Sequence, residues 1–208
     1  MAARAAIGFA VSAALVVAML GAATRGFSAL TTDSARALDV AATPVTVPRI
    51  GLLDMHRAAH TWRDGQRSTI VDFIYTRCVT VCSALGGVYR TLQSDIRARG
   101  LQSQVRLLSV SFDPVWDTPR RLAPYVQLMR ADPTIWTIAT VADSSTLTVV
   151  LQAFGVRVIE DGVNGYVHNA ALHVVDPDGR LVAILPFDAI DEALDVAASH
   201  SRARTIRR

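Results

Sequence analysis

Cys78 and Cys82 are the only cysteines of this 208-residue chain. Their spacing is the first feature that can do chemistry. If the segment is helical, residues i and i+4 share a face, close enough for a disulfide or for joint ligation of a metal. A β-branched run precedes the pair and a helical pattern follows it, so the pair falls at a helix amino terminus. The helix dipole there favours a thiolate. Two thiolates are soft ligands and suit Cu(I). A purely structural disulfide would close a very short loop and constrain the unfolded chain little. The pair alone leaves redox chemistry and metal binding both open. Asp72 stands six residues ahead of Cys78 in an apolar run. Buried there, its carboxyl would have a raised pKa and serve as a proton relay to a thiol. At a sheet edge it would simply be solvated.

The elements that must position these residues are legible from periodicity. Thr69 to Tyr75 reads as a buried strand. Leu85, Val88, Leu92 and Ile96 recur at helical spacing, and Gly100 ends that helix. Val105 to Phe112 is a second buried strand. Asp113 to Pro119 is a loop, with Thr118 as N-cap and Pro119 at the first helical position. Leu122, Tyr125, Val126 and Met129 form the next apolar helix face. Thr134 to Val141 reads as a strand, and Leu147, Val150, Leu151 and Phe154 mark a helix closed by Gly155. Val156 to Val167 alternates around Asp161-Gly162 and Asn164-Gly165, the pattern of a hairpin. Ala171 to Asp176 and Leu181 to Pro186 flank the turn Pro177-Asp178-Gly179. Ile190, Leu194 and Ala197 begin a final helix. Strands alternating with helices, then a hairpin and a last helix, predict a three-layer α/β domain. This is the pattern of a thioredoxin-like fold with a central mixed β-sheet and an inserted hairpin.

Composition removes several classes. Apolar residues make up 51% and charged residues 19%, which excludes disorder for the bulk of the chain. The two cysteines and five histidines exclude a multi-cysteine zinc module. All 21 basic residues are arginine, so no Walker A loop or Schiff-base lysine exists. A net charge of +3 is too small to argue for nucleic acid. Residues 5–24 carry no charge and form an N-terminal hydrophobic helix, either a signal anchor or a signal peptide cut near Gly21-Ala22-Ala23. The expected organisation is targeting segment 1–24, linker 25–48, one domain 49–200 and a basic tail 201–208. The domain would be exported. In a bacterium it would sit in the periplasm, held at the inner membrane, where disulfides persist.

The motifs then combine. VDFIYTRCVTVCSALGGVYRTLQ resembles the Cys-x-x-x-Cys segment of the Sco/SenC family. SVSFDPVWDTP resembles that family's second signature, a strand followed by Asp-Pro-x-x-Asp-Thr-Pro. VHNAALHVVDPDGRLV resembles the third, a histidine placed before a strand that ends in Pro-Asp-Gly. The three occur in the family's order behind a hydrophobic amino terminus. The resemblance implies a thioredoxin-like fold and copper held by Cys78, Cys82 and His168. It further implies a metallochaperone that assists assembly of the dinuclear copper centre of cytochrome c oxidase. The implied partners are oxidase subunit II, a copper donor protein and a thiol reductant. Val79 and Ser83 stand where the family usually has prolines. Thr80 stands where an acidic residue is frequent, and Val167 where an aspartate often precedes the histidine. The alternative function is a thiol–disulfide oxidoreductase reducing the cysteines of an exported target, with Asp72 as relay and His168 dispensable.

The remaining candidates read as structural. His173 lies inside the strand after His168 and points to the opposite face. His56 and His60 with Met55 would form a second copper site only on a helix, and this region reads as strand and loop. Asp113 and Asp117, flanked by prolines, read as loop-shaping and helix-capping residues rather than paired acid and base. His200 lies near the carboxyl end and is idle.

Overall fold

The computed structural model of the chain describes residues 2–24, 26, 29–77, 81–162 and 165–206; for 2–6, 81–84 and 202–206 it describes the backbone alone. The elements run α1 (Ala2–Ala23), α2 (Thr32–Ala42), β1 (Val45–Thr46), β2 (Leu52–Asp54), β3 (Ala59–His60), β4 (Ser68–Ile74) and α3 (Val81–Ala98). They continue with β5 (Val105–Ser111), α4 (Pro119–Met129), β6 (Trp136–Val141), a 3-10 turn (Ser144–Thr146) and α5 (Leu147–Phe154). The last are β7 (Val158–Glu160), β8 (Tyr166–His168), β9 (Ala171–Val175), β10 (Arg180–Pro186) and α6 (Ile190–Ile206). Eight strands form one mixed sheet in the order β1-β10-β9-β4-β5-β6-β2-β3. β4 runs parallel to β5, and β5 to β6. β9 joins β4 antiparallel, with Val71 opposite His173. β7 and β8 pair only with each other.

β4 and β5 are buried along their whole length because helices cover both sheet faces. Neighbouring residues of β4 show the two faces: Asp72 is directed at Tyr89 of α3, and Phe73 packs edge-on against Phe154 of α5. α3 and α6 form one outer layer, with α4 leaning on α3. This is the expected thioredoxin-like architecture. On α3, Leu85, Leu92 and Ile96 are buried as expected, and Tyr89 takes the fully buried place between them while Val88 is only partly buried. Gly155 (φ +73°) and Gly179 (φ +83°) close α5 and the β9–β10 turn in left-handed conformations that favour glycine.

Two parts of the chain organise differently from expectation. The stretch 25–48, read as a linker, contains α2 and β1. Thr31 caps α2: the Ser34 amide donates to Thr31 Oγ1 (3.1 Å), and the Thr31 amide donates to Ser34 Oγ (3.0 Å). Val40 of α2 is buried, β1 pairs with the edge strand β10, and the Trp62 indole donates to Pro48 O (2.9 Å). Val40 is the one buried residue of α2, and the half-buried ones are Asp33, Ser34, Ala35, Arg36 and Ala37, so no large-residue period betrayed it. At the other end, Ser201 is no solvated tail residue but a buried part of α6. Its hydroxyl accepts from the Ser68 amide (2.8 Å) and donates to Gln104 O.

α1 is the expected N-terminal helix, and its large apolar side chains from Ile7 to Leu20 are exposed. Among the described residues no helix is long and apolar enough to cross a membrane.

Candidate functional site

The site is assembled where β4 and β5 end. Cys78 lies outside the described residues, and Cys82 is described only as backbone in the first turn of α3. What can be read is how the chain on either side of the pair is held. Thr76, two residues before Cys78, is tied to a fully buried carboxylate. Asp117 Oδ2 accepts from the Thr76 amide (2.9 Å) and from Ser111 Oγ (2.6 Å), and Asp117 Oδ1 accepts from Thr76 Oγ1. Arg77 donates to Asp113 Oδ2 (2.7 Å) and lies over the Trp116 ring, 4.7 Å from its centre. Arg121 covers the same ring at 4.1 Å. Asp113 and Asp117 thus shape a loop, as expected, but they do not cap α4. Thr118 is the N-cap residue, and its side chain makes no cap hydrogen bond.

His168 reaches the same end of the sheet on the β7–β8 hairpin. Tyr75 pins that hairpin: its hydroxyl donates to Tyr166 O and accepts from the Tyr166 amide, both at 3.2 Å. Tyr75, Phe112 and Tyr166 pack as a ring cluster, and the His168 ring stands edge-on to Phe112 with centres 5.1 Å apart. Thus the segment entering Cys78, the end of β5 and His168 share one aromatic cluster. Both His168 ring nitrogens are buried and have no hydrogen-bond partner among the described residues. Burial lowers the His168 pKa below its ordinary value, which favours the neutral imidazole. A buried polar atom without a partner carries a desolvation cost that a ligand can relieve.

The other histidines differ. His173 is buried on the β9 face toward α5, where its Nδ1 meets Val71 O at 3.2 Å between Phe73 and Phe154. Burial lowers its pKa to about 4. His60 Nε2 pairs with Asp54 Oδ2 (2.8 Å). His56 is exposed in the turn between β2 and β3, and Met55 packs on the core. His200 Nδ1 lies 2.9 Å from Val196 O. Among the described residues no group of three His, Cys, Asp or Glu side chains could hold a metal. That set includes neither cysteine.

Asp72 is buried under α3, the helix that carries Cys82 at its start. Burial raises its pKa to about 7, and Ser109 and Tyr89 offset part of the cost. The Tyr89 hydroxyl faces the carboxyl without hydrogen-bond geometry, and neither it nor Asp72 Oδ1 has a well-formed hydrogen bond among the described residues. A carboxyl of this kind can give or take a proton near neutral pH. Asp117 was read as a loop-shaping residue, but its partners Thr76 and Ser111 and the Tyr75–Tyr166 pin were not singled out by sequence reasoning. Tyr75, Thr76 and Ser111 lie inside the two quoted motifs, which gave no sign of these contacts.

Comparison with known proteins places this geometry in context. The SCO1/SenC family model matches residues 55–201. The SCO1 protein homolog of Bacillus subtilis is 27% identical over 115 residues, 54% of this chain; the match spans 58% of that relative's length. Among solved structures, BsSco, described as a member of the Sco family of cytochrome c oxidase assembly proteins with a disulfide switch, superposes with a TM-score of 0.67. It is 21% identical and covers 77% of this chain and 95% of its own. ScoI of Bradyrhizobium japonicum, solved with copper bound, gives a TM-score of 0.59 at 22% identity, covering 75% and 99%. At these identities the structures speak for the fold.

Proposed function

The chain belongs to the SCO1/SenC family, and from that premise we propose that it is a membrane-tethered periplasmic copper metallochaperone. Cys78 and Cys82 bind copper as thiolates, and His168 completes the set. The copper is cargo, destined for the dinuclear copper centre of cytochrome c oxidase. The observation that carries this reading is the His168 imidazole, shifted toward its neutral form by burial, with both ring nitrogens buried and unpartnered among the described residues. The donor set fits: two soft sulfurs and one neutral nitrogen suit Cu(I) and still accept Cu(II). An open coordination position permits transfer to subunit II by ligand exchange. The copper-bound relative of the same fold supports it further. The dithiol must be reduced to bind, so a thiol reductant and a copper donor protein complete the partners. Residues 1–24 supply the tether.

Asp72 favours a second reading, thiol–disulfide exchange. One cysteine thiolate attacks a target disulfide and releases one target thiolate. The other cysteine then attacks the mixed disulfide, releasing the second target thiol and leaving a Cys78–Cys82 disulfide. Asp72 is the relay for the protons in this reading, supported by its burial beneath α3 and its pKa near neutrality. His168→Ala separates the two readings. The metallochaperone loses copper retention against a competing Cu(I) chelator while disulfide reduction of a model substrate persists. Unchanged copper retention in His168→Ala would refute the proposed ligand set.

A further inference from the structure

We propose that α2 is a clamp on the base of the β7–β8 hairpin, and that Asp33 and Arg36 are positioning residues for His168. The proposal builds on the copper reading for its purpose, but its geometry stands apart from it. The hairpin is an outlier in the fold. Its strands pair only with each other, and a lone two-stranded ribbon is marginal without outside support. Tyr75 supports it near Tyr166. Its base, where Val158 stands opposite His168, is held by the residues just outside that pair. The Arg157 amide donates to Asn169 Oδ1 (2.7 Å), and Asn169 Nδ2 donates to Gly155 O (3.0 Å). Asn169 directly follows His168.

α2 grips these same residues. Asp33 Oδ1 accepts from Asn169 Nδ2 (3.3 Å) and lies 2.9 Å from Arg157 Nη2, so one carboxylate bridges the entry and exit of the hairpin. One turn along, the Arg36 guanidinium donates to Ala153 O and Gln152 O, two of the last carbonyls of α5. A cation at a helix carboxyl end is favourable in both dipole and hydrogen bonding. The guanidinium lies so close over Gly155 that a Cβ there would collide with Arg36 Nε. The chain thus turns from α5 into the hairpin directly beneath Arg36. A small cavity of about 50 Å3 remains between Asp33, Arg36, Gly155, Asn169 and His173. α2 precedes the family-matched segment, which begins at residue 55. The clamp therefore joins the chain next to the N-terminal helix to the histidine's own ribbon.

The test is amide hydrogen exchange on the full copper-free chain, comparing Asp33→Ala, Arg36→Gln and the double variant with the parent. The clamp predicts exchange in 158–168 faster by about fivefold or more in the double variant, the factor carried by roughly 1 kcal/mol. Exchange in β4, β5 and β6 should stay unchanged. Asp33→Asn, which keeps an acceptor for Asn169, should recover part of the protection. The copper-loaded double variant should show an altered Cu(II) absorption spectrum with copper still bound. Unchanged exchange in the hairpin overturns the proposal. Equal acceleration across the central sheet also overturns it, because α2 would then brace the whole fold. If the parent chain binds no copper, the functional reading fails while the exchange result still judges the clamp.

Discussion

His168 and His173 show how five residues of separation decide a role. His168 ends β8 of the separate hairpin and its ring enters the aromatic cluster, with both nitrogens free of partners among the described residues, whereas His173 lies on β9 of the main sheet and faces the α5 layer against Val71 O. Removing a direct ligand costs at least as much as removing the group that orients one, which is roughly 10- to 100-fold in affinity. His168→Ala should therefore weaken copper binding by at least about tenfold, whereas His173→Gln should leave it within about twofold. Chelator competition on both variants checks this. Asp72 makes a prediction in pH. Its carboxyl is raised from 3.8 to about 7, so the folded chain keeps a proton that the unfolded chain has lost. Its contribution is whole below pH 3.8 and is lost as pH rises through about 7, a change of about 4 kcal/mol. Asp72→Asn should gain stability relative to the parent over that window and hold a constant difference above it. Urea unfolding at a series of pH values reads the effect, and a difference that does not change with pH contradicts it. At this scale the sequence was informative about residue types and alternation. It was silent on Asp72's burial, which depends on α3 covering that stretch of β4.

The elements around the site are joined by contacts that local patterns do not encode. The Asp117 carboxylate reaches Thr76 across 41 residues, and Asp113 reaches Arg77 across 36. Prolines beside both aspartates announced a loop, but only the tertiary fold shows that the loop grips the chain entering Cys78. Asp117→Ala strands the Thr76 amide and the Ser111 hydroxyl in a buried site, at a cost of about 3 kcal/mol. Copper affinity should fall roughly tenfold because Cys78 is no longer held from one side. Asp117→Asn, which retains an acceptor for the Thr76 amide, should recover part of both losses. Thermal unfolding and chelator competition measure them, and full copper affinity in Asp117→Ala would contradict the assignment. The core strands and helices were legible because their large apolar residues repeat at periods of 2 and 3.6. α2 was not, because its inward face holds one large apolar residue, Val40, among small and charged ones, and its anchors are a cap and two long-range charges. α6 was legible at its start but not at its end, where Ser201 is fixed by Ser68 and Gln104 rather than by any pattern of its own.

At the scale of the whole molecule, one end of a mixed sheet gathers the described groups around the proposed site. β4 leads into the segment that enters Cys78, β5 leads into the aspartate loop, and the β7–β8 hairpin carries His168. The described chain packs on the domain well before the family-matched region, so α2 is strapped to the domain rather than part of a loose leash. Residues 1–24 predict that the full chain, produced in a bacterium, sediments with membranes and keeps its amino terminus. A mature chain starting after Ala23 would instead show a cleaved signal. The central claim is that the cysteine pair and His168 hold copper. Its most direct test is the copper content of the reduced full chain after challenge with a Cu(I) chelator, beside the Cys78→Ser, Cys82→Ser double variant. About one copper should remain per parent chain and none in the variant. A reduced parent that yields all its copper to the chelator, or a variant that keeps it, would show that the cysteine pair does not hold the metal.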